Sequence, residues 1–209
     1  MIPKPTPTPG RKTSRRKEEI IATAIDYIYE YGYQRASLRD MARQMGITQA
    51  ALYYHFRNKE EILYTIIDRA GAALYSTLLA SLSSTDDPLD NLKAAIVQQI
   101  LCMKLNRKGI KILVEDKRFL SGDLKEKALD KEKAIFYLFK DQLQQLQEAK
   151  RIRTCDLTAA TFGIFGMINW LYHWYQPEKE MSLDDLAQQI VNLLFHGLLP
   201  DLIKGRGGD

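Results

Sequence analysis

Between Ser37 and Lys59 the chain reads SLRDMARQMGITQAALYYHFRNK, a run whose polar and aromatic groups are spaced for hydrogen bonding to a polyanion. On a short helix over 49–54, Leu52 and the following Phe56 face inward and leave Gln49, Ala50, Ala51, Tyr53 and Tyr54 outside. An amide and two phenols can bond to base edges, and two alanines allow a close approach to them. Ser37, Arg39, Thr48, His55 and Lys59 flank that face as donors suited to phosphate oxygens. These groups would read and hold a duplex; none of them is arranged to make or break a bond.

Such side chains need two short helices at a fixed angle, and the same stretch encodes them. Leu38, Met41, Ala42 and Met45 recur at i, i+3, i+4 and i+7, so one face of a first helix is apolar. Ser37 can cap its start, Gly46 can take the left-handed conformation that stops it, and Thr48 can cap the second helix. A helical hairpin with its tyrosines inside would share this spacing. The small outward alanines and the phosphate-competent cluster Tyr53, His55, Arg57 and Lys59 argue instead for a helix-turn-helix.

The run GITQAALYYHFRNKEEIL, preceded by SLRDMARQM, resembles the DNA-binding domain of the TetR family of bacterial transcriptional regulators. Leu52-Tyr53-x-His55-Phe56-x-x-Lys59-Glu60 carries the likeness most specifically, and it extends from Ile20 to about Asp68. Ala50 stands where that family often has Gly or Pro, which leaves the base preference there open. The resemblance implies an operator-binding homodimer whose remaining length forms a ligand-binding and dimerisation domain.

Composition agrees with an all-α chain: 209 residues, 45% hydrophobic, sparse in Pro and Gly, with no sustained period-2 alternation. The net charge of +4 is unevenly spread. Residues 1–59 hold 11 Lys/Arg against 5 Asp/Glu, a balance of +6, and the remainder is slightly acidic. Attraction to phosphate therefore belongs to the helix-turn-helix end. Cys102 and Cys155 fit no metal or redox spacing and read as buried, reduced thiols. The N-terminus lacks the apolar core of a signal peptide, and Ala159–Tyr175, the most apolar run, is short for a membrane span and contains Asn169 and His173. A cytoplasmic protein with no membrane association is expected.

In chain order, residues 1–13 read as a disordered basic arm, either a solvated tail or a strap along phosphates and the minor groove. Residues 14–58 would form the three-helix DNA-binding domain, 59–204 the effector-binding and dimerisation domain, and 205–209 a flexible tail. The first helix is expected from about Ser14 to Tyr31. Asn58 should cap a fourth helix reaching about Ser81, and Asp87 and Pro88 should open a fifth that ends at about Leu105. A further helix is expected over 106–120, interrupted near Gly109, then a long one over 124–150. The last two helices, about 156–175 and 182–199, are separated by a break at Pro177 and make about nine in all. The 159–175 helix is apolar on nearly every side, so it must be covered from two directions. Gly163 and Gly166 permit close helix approach, and with Leu186, Ile190, Leu193 and Leu194 they form the expected dimer interface.

No catalytic pattern is present. His55, His173 and His196 lie in separate segments, and there is no phosphate-cradling Gly loop, G-x-S-x-G or H-E-x-x-H. A sequence-indifferent packaging protein would not need some 150 residues of helical domain behind its reader. No cofactor is required; an apolar helical domain there is most simply a pocket for a small hydrophobic effector. The stretch GMINWLYHWYQPEKEMSLDDLAQQIVNLLFHGL is similar to the C-terminal part of TetR-type regulators of fatty-acid and sterol-ring degradation, which implies an acyl-CoA effector. Met103, Phe136, Phe139, Phe165 and Trp170 could line an apolar tunnel, with Asn169 and His173 of the same string beside it. Arg107, with Lys104, Lys108, Lys111 and Arg118, would meet the phosphates. A multidrug or other hydrophobic effector is the alternative.

Overall fold

A computed structural model describes residues 9–176 and 181–197. Residues 1–8 of the expected basic arm, Pro177 and the C-terminal tail with Leu199 lie outside them. Among the described residues every regular element is helical: α1 (Pro9–Tyr31), α2 (Leu38–Gln44), α3 (Gln49–His55), α4 (Lys59–Ser81), α5 (Pro88–Glu115), α6 (Gly122–Glu148), α7 (Leu157–Trp174) and α8 (Leu183–His196), with a 3₁₀ turn at Lys117–Phe119. None of these helices is long and apolar enough to cross a membrane.

The caps are those the side chains dictate. Asn58 accepts the Glu61 N–H at 2.8 Å at the head of α4, and Asp156 takes that of Ala159 at 2.7 Å before α7. Ser182 and Asp185 bond reciprocally before α8. Asp87 accepts from Leu89 N–H at 2.8 Å, so its carboxyl titrates below the usual range. Two elements differ from expectation. α1 begins at Pro9, not near Ser14, because proline's fixed φ and missing N–H suit a first helical position. The boundary expected after Leu105 is a kink at Asn106, whose φ of −143° and ψ of 43° interrupt α5, and the further break expected near Gly109 does not occur. The Asn106 carboxamide oxygen then accepts the Gly109 N–H at 3.2 Å and restarts the helix. A Cβ on Gly109 would overlap that carboxamide, which accounts for glycine there. Counted as two, α5 brings the α-helices among the described residues to nine.

The chain forms two compact units, and they are not divided at residue 58. The first comprises Met1–Ser76 with Asn106–Ile135; the second, Thr77–Leu105 with Phe136–Asp209. The physical reason lies in the core of the first unit. α1 with the two short helices α2 and α3 buries too little surface to stand alone. Ile62, Leu63, Ile66 and Ile67 of α4, with Ile112 and Leu120, close the core begun by Ile20, Ile28, Met41, Leu52 and Phe56. Peripheral ion pairs join the same segments: Lys108 to Asp26 at 2.5 Å, Lys117 to Glu132 at 2.6 Å, Arg69 to Glu18 and Lys131 to Asp68. In the second unit, Ile96, Ile100, Phe139, Leu143, Ile164, Ile168 and Leu171 are among the fully or nearly buried residues. The thiols do not follow expectation: Cys155 is exposed, and Cys102 is half-buried with its pKa raised by burial.

Candidate nucleic-acid interface

α3 has seven residues, too few to hold a helix by backbone bonding alone. It is held by one inward side chain, fully buried Leu52, and by Phe56 at its C-terminal end. The Thr48 hydroxyl accepts the Ala51 N–H at 3.1 Å and fixes its start. The preceding turn is equally determined. Gly46, at φ +62°, donates to the Arg43 carbonyl at 3.1 Å while Ile47 donates to that of Ala42 at 3.0 Å. This pair of bonds is the Schellman closure of α2. At the other end of α2, the Ser37 hydroxyl accepts the Asp40 N–H at 3.1 Å and donates to the Asp40 carboxylate. That hydroxyl, with Arg43 and Arg39 nearby, holds the Asp40 carboxyl below the usual range.

With Leu52 and Phe56 inside, Gln49, Ala50, Ala51, Tyr53 and Tyr54 all lie on the exposed side, Tyr54 at 78% exposure. His55 packs against the Tyr54 ring edge-on at 5.1 Å between centroids. Arg39 is exposed, as is Thr48 beyond its cap bond. Lys59 is placed differently from a free surface cation. Its ammonium donates to the Tyr33 carbonyl at 2.9 Å and the Gln34 carbonyl at 3.4 Å, and lies 4.2 Å from the centroid of the Tyr33 ring. Partial burial lowers its pKa. Spacing gave no sign of this inward clamp, because its acceptors are backbone carbonyls 25 and 26 residues away.

Comparison with known proteins decides the family. The model for the C-terminal domain of tetracyclin repressor-like proteins matches residues 85–198, and that for bacterial regulatory proteins of the tetR family matches residues 20–66. The chain belongs to the TetR family. Among solved structures, that of AibR in complex with isovaleryl coenzyme A and operator DNA superposes with a TM-score of 0.81 at 25% identity, covering 86% of this chain and 98% of that one. PfmR from Thermus thermophilus gives 0.81 at 26% identity, covering 87% and 99%. By sequence, the HTH-type transcriptional repressor KstR2 of Mycolicibacterium smegmatis is 22% identical over 91% of this chain and 94% of its own length. The nucleoid occlusion factor SlmA of Vibrio vulnificus is 26% identical over 69% and 72%.

The residues expected to hold an effector are only partly brought together. In the second unit Phe165 meets Phe139 at 5.0 Å and Phe136 at 6.3 Å, with Phe162 4.9 Å from Phe136. Met103 is buried, and Asn169 accepts from the Gln99 amide at 3.5 Å. Trp170 and His173 stand apart, packed on one another at 4.3 Å on the exposed side of α7. Arg107 falls in the first unit, whereas the other seven fall in the second. The expected basic cluster is also dispersed. Lys104 pairs with Asp184, Lys108 with Asp26, and Lys111 with Glu115 at 4.0 Å, while Arg118 lies over its neighbour Phe119.

The two-sided burial expected of α7 is half satisfied within one chain. Thr161, Ile164, Ile168 and Leu171 face its own core. Phe162 at 61%, Trp170 at 62% and Trp174 at 42% exposure stand on the opposite side, and no atom obstructs Gly163 or Gly166. On α8, Ile190, Leu193 and Leu194 are half-buried, whereas Leu186 is buried. Leu186 therefore packs into the core of its own chain, since it shares a face with Leu183 and Ala187.

Proposed function

We propose that this TetR-family chain is a repressor that binds a pseudo-palindromic operator as a homodimer and is released by a small hydrophobic effector, best matched by an acyl-CoA. One observation carries the DNA-reading part: α3 presents Gln49, Ala50, Ala51, Tyr53 and Tyr54 outward over a single buried leucine. Arg39, Thr48 and His55 flank that face toward phosphates, and Lys59 keeps one N–H beyond its two internal bonds, whereas Ser37 would have to release its single hydroxyl proton from Asp40 to donate to a phosphate. The uncovered side of α7, with Ile190, Leu193 and Leu194 of α8, supports pairing with a second copy, which would set two α3 helices about 34–36 Å apart in successive major grooves.

The effector assignment draws on the aromatic group Phe136, Phe139 and Phe165 and on AibR's complex with an acyl-CoA. KstR2, described as a transcriptional repressor, supports the direction of control. α4, α5 and α6 each contribute residues to both compact units, so they are the elements through which effector binding could act on the reader. An effector changes DNA affinity only as far as it prefers one conformation over another. A coupling of about 1–3 kcal/mol would weaken operator binding about 5–150-fold. The test is operator anisotropy titrated with isovaleryl-CoA and palmitoyl-CoA, with free CoA and palmitate as controls. Release by a thioester alone supports the assignment. Release by palmitate or unrelated hydrophobic cations, with thioesters inert, replaces it with a multidrug-type or fatty-acid effector.

A further inference from the structure

The carboxylate of Glu60, next to Lys59 at the head of α4, is engaged away from the exposed face of α3. One of its oxygens accepts both the Ser121 N–H at 2.6 Å and the Ser121 hydroxyl at 2.8 Å. Ser121 immediately precedes α6, and its carbonyl takes that helix's opening bond from Lys125 N–H at 3.2 Å. A negative charge is thus seated at the start of a 27-residue helix, where the orphan N–H groups and the helix dipole favour it. Beside it, Lys59 clamps the turn carbonyls of Tyr33 and Gln34, and the Tyr33 ring stacks on Phe119 at 5.3 Å. The turn at 33–36 leads into α2 through the cap Ser37, and α3 leads into α4 through Phe56–Asn58. The head of α4 is therefore tied at once to the entry of the helix-turn-helix and to the 119–121 segment.

We propose that Glu60 is a positioning residue for operator recognition: by holding the head of α4 against Ser121 it fixes the pose of α3, without touching DNA itself. The proposal rests on α3 being the DNA reader. Its sign separates it from simple electrostatics. A carboxylate beside a phosphate-binding face repels DNA, so its removal as a mere charge would tighten binding to every duplex. Removal of a positioning bond weakens only the operator complex, because sequence reading needs the base-facing groups within a narrow range of geometry.

The experiment compares operator with a scrambled duplex of equal length for wild type, Glu60→Gln, Glu60→Ala and Ser121→Ala, as full-length protein over a salt series. For Glu60→Ala, the operator-to-scrambled affinity ratio falls about tenfold, as expected when a charge-assisted bond is lost, while scrambled binding stays level or rises. Glu60→Gln keeps an acceptor oxygen and recovers part of the ratio. Ser121→Ala, a neutral change on an exposed residue, lowers the ratio in the same direction with the salt slope unchanged, and adds little on top of Glu60→Ala. Equal tightening on both duplexes by the two Glu60 variants, or a ratio unmoved by Ser121→Ala, overturns the proposal. Should Glu60→Ala not fold, Glu60→Gln and Ser121→Ala decide it. A wild type with no operator preference would instead overturn α3 as the reader.

Discussion

Replacing Trp170 by alanine separates two roles for the exposed side of α7. Trp170 is 62% exposed in the isolated chain, beside Phe162 at 61% and Trp174 at 42%, with Gly163 and Gly166 leaving the backbone open between them. A large aromatic buries about 150–250 Å², so covering the exposed part of Trp170 removes roughly 120 Å² per copy, or roughly 240 Å² per symmetric dimer. At about 25 cal/mol/Å² that is about 6 kcal/mol, of which alanine keeps a minor share, leaving a loss of about 4 kcal/mol. A tenfold change in dissociation constant costs about 1.4 kcal/mol, so the dimer should weaken about a thousandfold. The fold of each chain should be spared, because the side chain packs against His173 and not into the subunit's core. Light scattering and sedimentation from about 0.1 to 100 µM would follow the weakening across the range typical of protein dimers, and thermal melting of the monomeric fraction reports on the fold. A variant that stays dimeric at the lowest concentration while losing acyl-CoA response would return Trp170 to the effector site. A fall in thermal midpoint as large as that of a core truncation would show that the exposed face is not free.

Other substitutions probe the reader and its support. Leu52→Ala empties the one buried anchor of α3 and should cost about 2–5 kcal/mol, seen as faster amide exchange over 48–56 and lost operator binding with the dimer intact; protected amides there would refute it. Gln49→Ala should change base preference at one position in each half-site by about 1–3 kcal/mol, whereas Arg39→Ala should weaken all duplexes alike and reduce the salt slope by about one. Asp116 is half-buried, its pKa is raised by burial and then by Glu115, and its side chain makes no cap bond at the 3₁₀ turn. A folded pKa above the unfolded value favours folding at low pH, and that advantage is lost as pH rises through the folded value. Asp116→Asn should therefore raise the thermal midpoint at pH 7 and bring no gain near pH 3; an unchanged midpoint at pH 7 would remove the burial penalty.

The helix-turn-helix was legible because its determinants are local. Ser37, Gly46 and Thr48 act within four residues of their partners, and Leu52 and Phe56 follow from period alone. The rest depended on contacts distant in sequence. α7 is apolar all round, so periodicity could not say which side its own core would take, and Trp170 fell on the other. Lys104, Lys108 and Lys111 look like a cluster by spacing, but the Asn106 kink interrupts their helix and each meets a separate acid. The inward turn of Lys59 and the seat of Glu60 on Ser121 required partners 25 to 61 residues away. The start of α1 at Pro9 was obscured by Pro/Thr-rich neighbours that read as disorder.

Selecting bound duplexes from a random library with the full-length protein asks whether α3 reads sequence as one of a symmetric pair. The selection should return a pseudo-palindrome whose half-site centres lie about one helical turn, 10–10.5 base pairs, apart or a multiple of it, with a half-site preference that shifts for Gln49→Ala. Enrichment of no motif, of an asymmetric one, or of one indifferent to substitution on the outer face of α3 would contradict it.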